Sequence, residues 1–225
     1  MTGISVILPA FNAAATIAEA LAGVAAQTLP PDEVILVDDG STDDTAAHAA
    51  GALPGLRLLR QANAGAAAAT NAGMRAARFP LLALLDADDI WLPGKLAAQR
   101  ARLQAEPALS GIGGHVQAFA CPSLSPKRAA RFRIPAAPTP GLFGSALMLR
   151  RAAIEQVGFY DETLPVGFAI DWMHRARLAG LRFATLDDVV VRRRIREGSL
   201  SARSAARDRG YLEVARRAIQ RGRGT

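Results

Sequence analysis

The stretch Leu81–Leu96, LLALLDADDIWLPGKL, decides the fold. Its first five residues, Leu81 to Leu85, are all apolar, with the length and character of a strand buried on both faces of a sheet. Asp86, Ala87, Asp88 and Asp89 follow directly, three carboxylates within four residues. Ionised carboxylates this close repel one another, so a chain that folds with them together calls for a cation to offset them. Two acids separated by one residue suit a hard divalent ion, which takes carboxylate oxygens and completes its shell with water and phosphate. The C-terminal end of a parallel strand is also where open α/β sheets place their ligands. The alternative is a solvated acidic turn ahead of a helix, with Asp89 near the helix N-terminus.

Upstream, strand and helix alternate. Gly3–Pro9 reads as a first strand, and the helix-length segment after it carries Ile17, Leu21 and Val24 on one face, with Pro9 and Asn12 at the turn between them. Glu33–Val37 is a second strand ending in Asp38-Asp39-Gly40-Ser41-Thr42-Asp43, where Gly40 permits a tight turn and Ser41, Thr42 or Asp43 can cap a helix. Leu56–Leu59 is a weaker third strand, and Asn63–Ala77 reads as a turn and an alanine-rich helix. Four such alternations predict a parallel sheet with helices on both faces. Twice, at Asp38-Asp39 and at Asp86-x-Asp88, acids stand where that sheet would present a ligand.

Downstream the pattern changes. A helix is expected at Lys95–Gln104 and a strand at Gly111–Ala120; Pro122–Gly141, with five prolines, reads as a long irregular loop. Gly144–Leu149 reads as a strand, Arg150 and Arg151 open a helix, and Ile170–Ala179 is a helix stopped by Gly180. Leu181–Thr185 and Val189–Arg194 read as two short strands, with Asp187-Asp188 capping a turn between them. Ala202–Arg221 places Leu212, Ala215 and Ile219 on one helical face, with arginines around the rest. His115 reads as a structural histidine, and Cys121 has no neighbouring base to activate it.

At 225 residues and 50% hydrophobic content the chain fits one globular domain, or one with an appendage. The single cysteine excludes an intrachain disulfide framework and suits a reducing cytosol. No secretory signal is visible, and the longest uncharged stretch, Pro107–Pro126, is too interrupted to span a bilayer. The expectation is a cytoplasmic protein. The net charge of +7 resides entirely after Leu181, where twelve arginines face five acids. That asymmetry points to an acidic partner for the tail: a membrane surface, nucleic acid or an anionic substrate. Tyr211 is the lone aromatic in the tail, and nucleic acid is not expected.

VILPAFNAAATIAEAL, EVILVDDGSTDDT, NAGAAAATNAG and LLALLDADDIWLPGKL, followed by GSALMLRRAAIEQVGFYDE, IDWMHRARLAG and VVVRRRIREGSLS, resemble the family 2 glycosyltransferases of the GT-A fold. The match runs from about Ile4 to Ser201. The resemblance implies a GT-A nucleotide-binding sheet, mostly parallel with helices on both faces. It divides the chain into a nucleotide-sugar half, 1–106, an acceptor half carrying the catalytic base, 107–201, and a basic helix, 202–225. It implies inverting transfer from a nucleotide sugar (UDP-, GDP- or dTDP-linked), assisted by Mg²⁺ or Mn²⁺. Carried over by position, Pro9, Ala10, Phe11 and Asn12 line the nucleotide, and Asp38 or Asp39 contacts the base. Asp86 and Ala87 lie along the donor, Asp86 facing the ribose or the metal, and Asp88 ligates the metal at the diphosphate. Asp171 falls where the family keeps its catalytic base; its alternative is an ordinary helix N-cap.

The chemistry agrees with these roles. Negative charge develops on the departing diphosphate, and a divalent cation beside it acts as a Lewis acid. Inversion needs one carboxylate on the opposite face of the sugar to take the acceptor proton. Three positions depart from the family pattern. Ile170 stands where an acid commonly precedes the base, Thr70 where a basic residue is common, and Arg196 where a metal-binding histidine is common. Arginine cannot ligate a metal but can pair with phosphate, so Arg196 is expected at the donor diphosphate. The basic tail either lies on an anionic membrane or lipid-linked acceptor, peripheral at the inner membrane face, or packs on the sheet as a solvated helix. Competing readings are a sugar-nucleotide-binding module whose catalysis has decayed, and a nucleotidyltransferase. The latter usually has a basic, Gly-rich phosphate loop, and Pro9–Ala15 has no Lys or Arg.

Overall fold

The computed structural model describes residues 3–132, 134–197 and 212–217. Its first half alternates as expected: β1 (Ile4–Ala10), α1 (Ile17–Ala25), β2 (Glu33–Asp38), α2 (Thr45–Ala52), β3 (Arg57–Arg60), α3 (Ala66–Ala76) and β4 (Leu81–Leu84). The acidic loop after β4 runs into a two-residue strand, β5 (Ile90–Trp91), and then α4 (Lys95–Ala105). The second half holds β6 (Leu109–Ala120), α5 (Pro126–Ala129), β7 (Thr139–Gly141), a 3-10 turn at Gly144–Ala146, β8 (Met148–Arg150), α6 (Arg151–Val157), α7 (Phe168–Leu178) and β9 (Arg182–Ile195).

The strands form one sheet in the order β3-β2-β1-β4-β8-β6-β9-β5, with β7 pairing on β6. Pairing is parallel from β3 to β4, as the βα alternation requires. It turns antiparallel where β8 meets β4 and β6, parallel again at β6–β9, and antiparallel at β5–β9. The sheet is therefore mixed rather than mostly parallel. The expectation of helices on both faces holds. Alternation along β1 sends Ile4, Val6 and Leu8 to one side, with Ile17 and Leu21 of α1 and Leu96 and Leu103 of α4. Ile7 faces the other side, with Met74 of α3, Ile154 of α6 and Trp172 and Met173 of α7.

Several boundaries differ from the sequence reading. The proline-rich loop contains α5 and β7. Asp187 and Asp188 cap no turn; they lie inside β9, one 14-residue strand that accommodates them through register shifts opposite His115. His115 Nδ1 lies 2.9 Å from the Leu186 carbonyl oxygen, a structural contact as expected. The last four residues of VVVRRRIREGSLS, 198–201, lie outside the described residues, as does most of the basic tail. Residues 212–217 are helical, with Val214 buried and Leu212 and Ala215 exposed. Arg217 of this helix donates to Glu213 Oε1 at 2.8 Å and also pairs with Asp161. Among the described residues no helix is long and apolar enough to cross a membrane.

Candidate active site

The parallel strands β1, β2 and β4 deliver three loops to one edge of the sheet. At the end of β1, Pro9 and the buried Ala10 lead to Phe11, which is 48% exposed, and to Asn12. Asn12 has φ +48°, the single non-glycine in the left-handed region among the described residues. Its strain is held by hydrogen bonds to the neighbouring loop: its N–H donates to Ser41 Oγ at 3.0 Å, and its Oδ1 accepts from the Thr42 N–H at 2.9 Å. At the end of β2, Asp38 Oδ1 accepts from the Ser41 N–H at 2.9 Å, and Gly40 turns the chain with φ +74°. The buried Asp39 accepts from Gln61 Nε2 at 2.8 Å and from the N–H groups of Ala64 and Gly65 at 2.9 and 2.8 Å. Both buried acids thus organise the loops at this end of the sheet.

The third loop carries the acidic cluster. Asp86 is exposed on the cleft floor, yet Gly144 closes over its carboxylate. A Cβ on Gly144 would stand 3.1 Å from Asp86 Oδ2, and its φ of +48° also favours glycine. Loss of water around the carboxyl and the charge of Asp88 push Asp86 up to about 6, against the opposing effects of Arg193 and Ser145. Asp89 is buried, accepting from Ser145 Oγ at 2.6 Å and from the Arg194 N–H at 3.0 Å. Burial and the charges of Asp86 and Asp88 still push it up, to about 7. Asp88 Oδ2 accepts from Arg196 Nε at 2.8 Å. The Ala87 carbonyl accepts from Thr16 Oγ1 at 2.8 Å, tying the loop to the start of α1.

Beneath this cluster lies a polar layer that the sequence reading missed. Ser145 Oγ also accepts from the Asp86 N–H at 3.0 Å, and the Ser145 carbonyl accepts from Trp91 Nε1 at 2.8 Å. Lys95 is 1% exposed, its Nζ 4.1 Å from the Trp91 ring centroid and donating to Gln99 Oε1 at 2.8 Å. Burial holds its amine well below the ordinary lysine range. Arg194 donates from Nε to the Asp88 carbonyl at 3.0 Å and pairs with Glu19 of α1. A charged residue inside an apolar helix pattern, Lys95 in PGKLAAQ, was the available signal. Ser145 gave none, because its partners are 54 and more residues away.

Asp171 sits in the first turn of α7, but it is not the N-cap: Gly167, in the left-handed conformation, takes that place. Asp171 is 1% exposed, and its Oδ2 accepts from Arg175 Nε at 2.9 Å. Arg175 also donates to the carbonyls of Val157 and Phe159, each at 2.8 Å, fixing the loop that leads into α7. Tyr160, in that loop, is buried against the rings of Phe168 and Trp172. Burial raises its phenol, the charge of Asp86 raises it further, and Arg175 opposes. Ile170 is 39% exposed beside Asp171. The Thr70 hydroxyl is spent on the Ala66 carbonyl of its own helix at 2.7 Å.

The sequence model of glycosyl transferase family 2 matches residues 5–158. This chain belongs to glycosyl transferase family 2. The succinoglycan biosynthesis protein ExoU of Rhizobium meliloti is 32% identical over 249 residues, covering 98% of this chain and 70% of that protein. The Escherichia coli protein WfgD, named as a UDP-Glc:α-D-GlcNAc-diphosphoundecaprenol β-1,3-glucosyltransferase, is 36% identical over 43% of this chain and 39% of its own length. Among solved structures, the mannosyltransferase PcManGT of Pyrobaculum calidifontis, in complex with GDP-Man and Mn²⁺, superposes with a TM-score of 0.74 at 22% identity, over 97% of this chain and 64% of that one. S. aureus TarS 1–349 with UDP-GlcNAc gives 0.69 at 21% identity, over 89% of this chain and 61% of that one. Both likenesses show a shared GT-A fold. This family 2 chain spans less than two thirds of the length of these structures.

Proposed function

We propose that this protein transfers a sugar from a nucleoside-diphosphate donor to an acceptor hydroxyl, with inversion at the sugar carbon. The observation that carries the reading is the open acidic floor at the end of β4, Asp86 and Asp88, beside the loops of β1 and β2. Pro9, Ala10, Phe11 and Asn12 line the nucleotide, with Asp38 or Asp39 at the base. The binding of UDP-GlcNAc and GDP-Man by structures of the same fold supports this class of donor.

The donor set fits Mg²⁺ or Mn²⁺. Asp86 and Asp88 offer hard carboxylate oxygens at the cleft, and the loss of water and the repulsion by Asp88 that together raise Asp86 are what a divalent cation offsets. Asp86 and Asp88 would hold that ion, and it would supply Lewis-acid stabilisation of the departing diphosphate. Arg196, already at Asp88, and Arg193, whose charge reaches Asp86, place guanidinium groups at the same end of the donor. Ser145 fixes the backbone of the acidic loop, so these charges are preorganised.

Asp171 takes the acceptor proton, with Arg175 as its counter-charge and the Arg175-bound loop holding it in place. Burial of Asp171 against Arg175 favours a second reading, a binding module that holds the donor without transferring it. A panel of UDP-, GDP- and dTDP-sugars, followed by proton NMR of the product, tests the proposal. A new glycoside of opposite anomeric configuration supports inverting transfer. Donor binding without consumption supports the module. The acceptor in the name of WfgD favours a lipid-linked diphosphate as first acceptor, reached from the cytoplasmic side with the basic tail on an anionic membrane surface.

A further inference from the structure

The end of β9 brings its arginines against the acidic loop across more than a hundred residues of chain. Arg196 Nε donates to Asp88 Oδ2 at 2.8 Å, with both side chains partly open to solvent. The chain on either side of Arg196 is fixed. The Ile195 carbonyl accepts from the Cys121 N–H at 2.8 Å, and Glu197 Oε2 accepts from Arg128 Nη1 at 2.7 Å. The Arg194 N–H is held by Asp89. The partly exposed guanidinium of Arg196, one residue beyond the end of β9, can swing without breaking a strand pairing.

This position conflicts with simple metal binding. One carboxylate oxygen of Asp88, a ligand in the reading above, is covered by a guanidinium that a divalent cation must displace or sit beside. A diphosphate changes the balance. Its oxygens accept paired hydrogen bonds from a guanidinium, and its charge exceeds that of a single carboxylate. We propose that Arg196 is a displaceable counter-cation that masks Asp88 until a nucleoside diphosphate draws it away, so that divalent metal and donor bind as a coupled pair. The inference rests on the assignment of Asp86 and Asp88 as the metal carboxylates, and adds a residue that times their exposure. Coupling of this kind is reciprocal: the diphosphate tightens the metal by the factor by which the metal tightens the diphosphate.

The test is Mn²⁺ binding to the full chain by electron paramagnetic resonance, alone and with UDP or GDP, corrected for the Mn²⁺–nucleotide association measured without protein. Arg196→Gln removes the charge, Arg196→Lys keeps it, and Asp88→Asn removes the carboxylate. The wild type binds Mn²⁺ alone weakly. Arg196→Gln tightens Mn²⁺ alone by about tenfold, within the range usual for coupled sites, and Arg196→Lys stays near the wild type. With the nucleotide present, the gap between Arg196→Gln and the wild type closes. Arg196→Gln binding Mn²⁺ alone no better than the wild type, while Asp88→Asn abolishes it, overturns the masking role and leaves the metal site standing. Asp88→Asn binding Mn²⁺ as the wild type does removes the metal site itself, and the inference with it.

Discussion

The start of β2 and the loop after β4 treat their acids in opposite ways. At the N-terminal end of β2, the side chain of Glu33 is 2% exposed and fully engaged. It accepts from Ser5 Oγ at 2.8 Å, from the Arg78 N–H at 2.9 Å and from Arg78 Nε at 2.8 Å. Burial alone would raise its carboxyl, but these donors outweigh burial and hold it below its ordinary 4.5. In the loop after β4, the exposed but crowded Asp86 and the buried Asp89 also have donors, yet loss of water around the carboxyls and mutual repulsion win, and both are pushed up, to about 6 and about 7. One end is built to be stable by itself. The other keeps an electrostatic cost that a bound cation or ligand removes, the arrangement expected of a functional site.

The comparison can be broken at several points. The largest effect is expected at the base: Asp171→Asn should keep donor binding and lose transfer by roughly 10²–10⁴-fold, the usual worth of a positioned base. Steady-state kinetics beside donor titration measure this, and turnover near the wild-type rate would move the base to Asp161 or Glu162. Next comes the stable end. Glu33→Gln should cost about 1–3 kcal/mol near neutral pH, because it disrupts a buried, satisfied network.

The sign of the pH effect follows from the lowered carboxyl. The stability that Glu33 adds is present above its unfolded value and is lost as pH falls through its folded value. The gap between wild type and Glu33→Gln in urea melts should therefore shrink below about pH 4. A gap that widens on acidification contradicts the assignment. Smallest is a surface control. Arg102 in the last turn of α4 and Glu106 just past its end, paired at 2.7 Å and each about half exposed, should change stability by less than about 0.5 kcal/mol when Arg102 becomes Ala.

How much of this was legible in the sequence follows from the range of each interaction. β1, β2 and β4 announce themselves as local apolar runs, and the acids at their ends can be placed by rule. The antiparallel half resisted because its signals are not local. GSALML has the composition of a strand, but the left-handed Gly144 forces a 3-10 turn and leaves Met148–Arg150 as the strand. β9 looks broken at Asp187-Asp188, and continuity depends on bulged pairing with β6. At the site, the acids of the β4 loop and Asp171 were visible. Ser145 under the loop, Arg175 on Asp171 and the Arg196–Asp88 pair were not, since each depends on which side chain the fold brings near.

The contrast between the two ends is tested most directly by thermal unfolding of Asp88→Asn, alone and with Mn²⁺ plus UDP or GDP. A ligand that binds only the folded state raises the midpoint by an amount that grows with the logarithm of its concentration over Kd. Removing one of three crowded negative charges should leave the unliganded midpoint at or above that of the wild type, while the rise on adding metal and nucleotide is lost. A midpoint that falls as it does for Glu33→Gln, with the ligand-induced rise intact, would make Asp88 a structural acid and contradict the reading of this end of the sheet as the donor site.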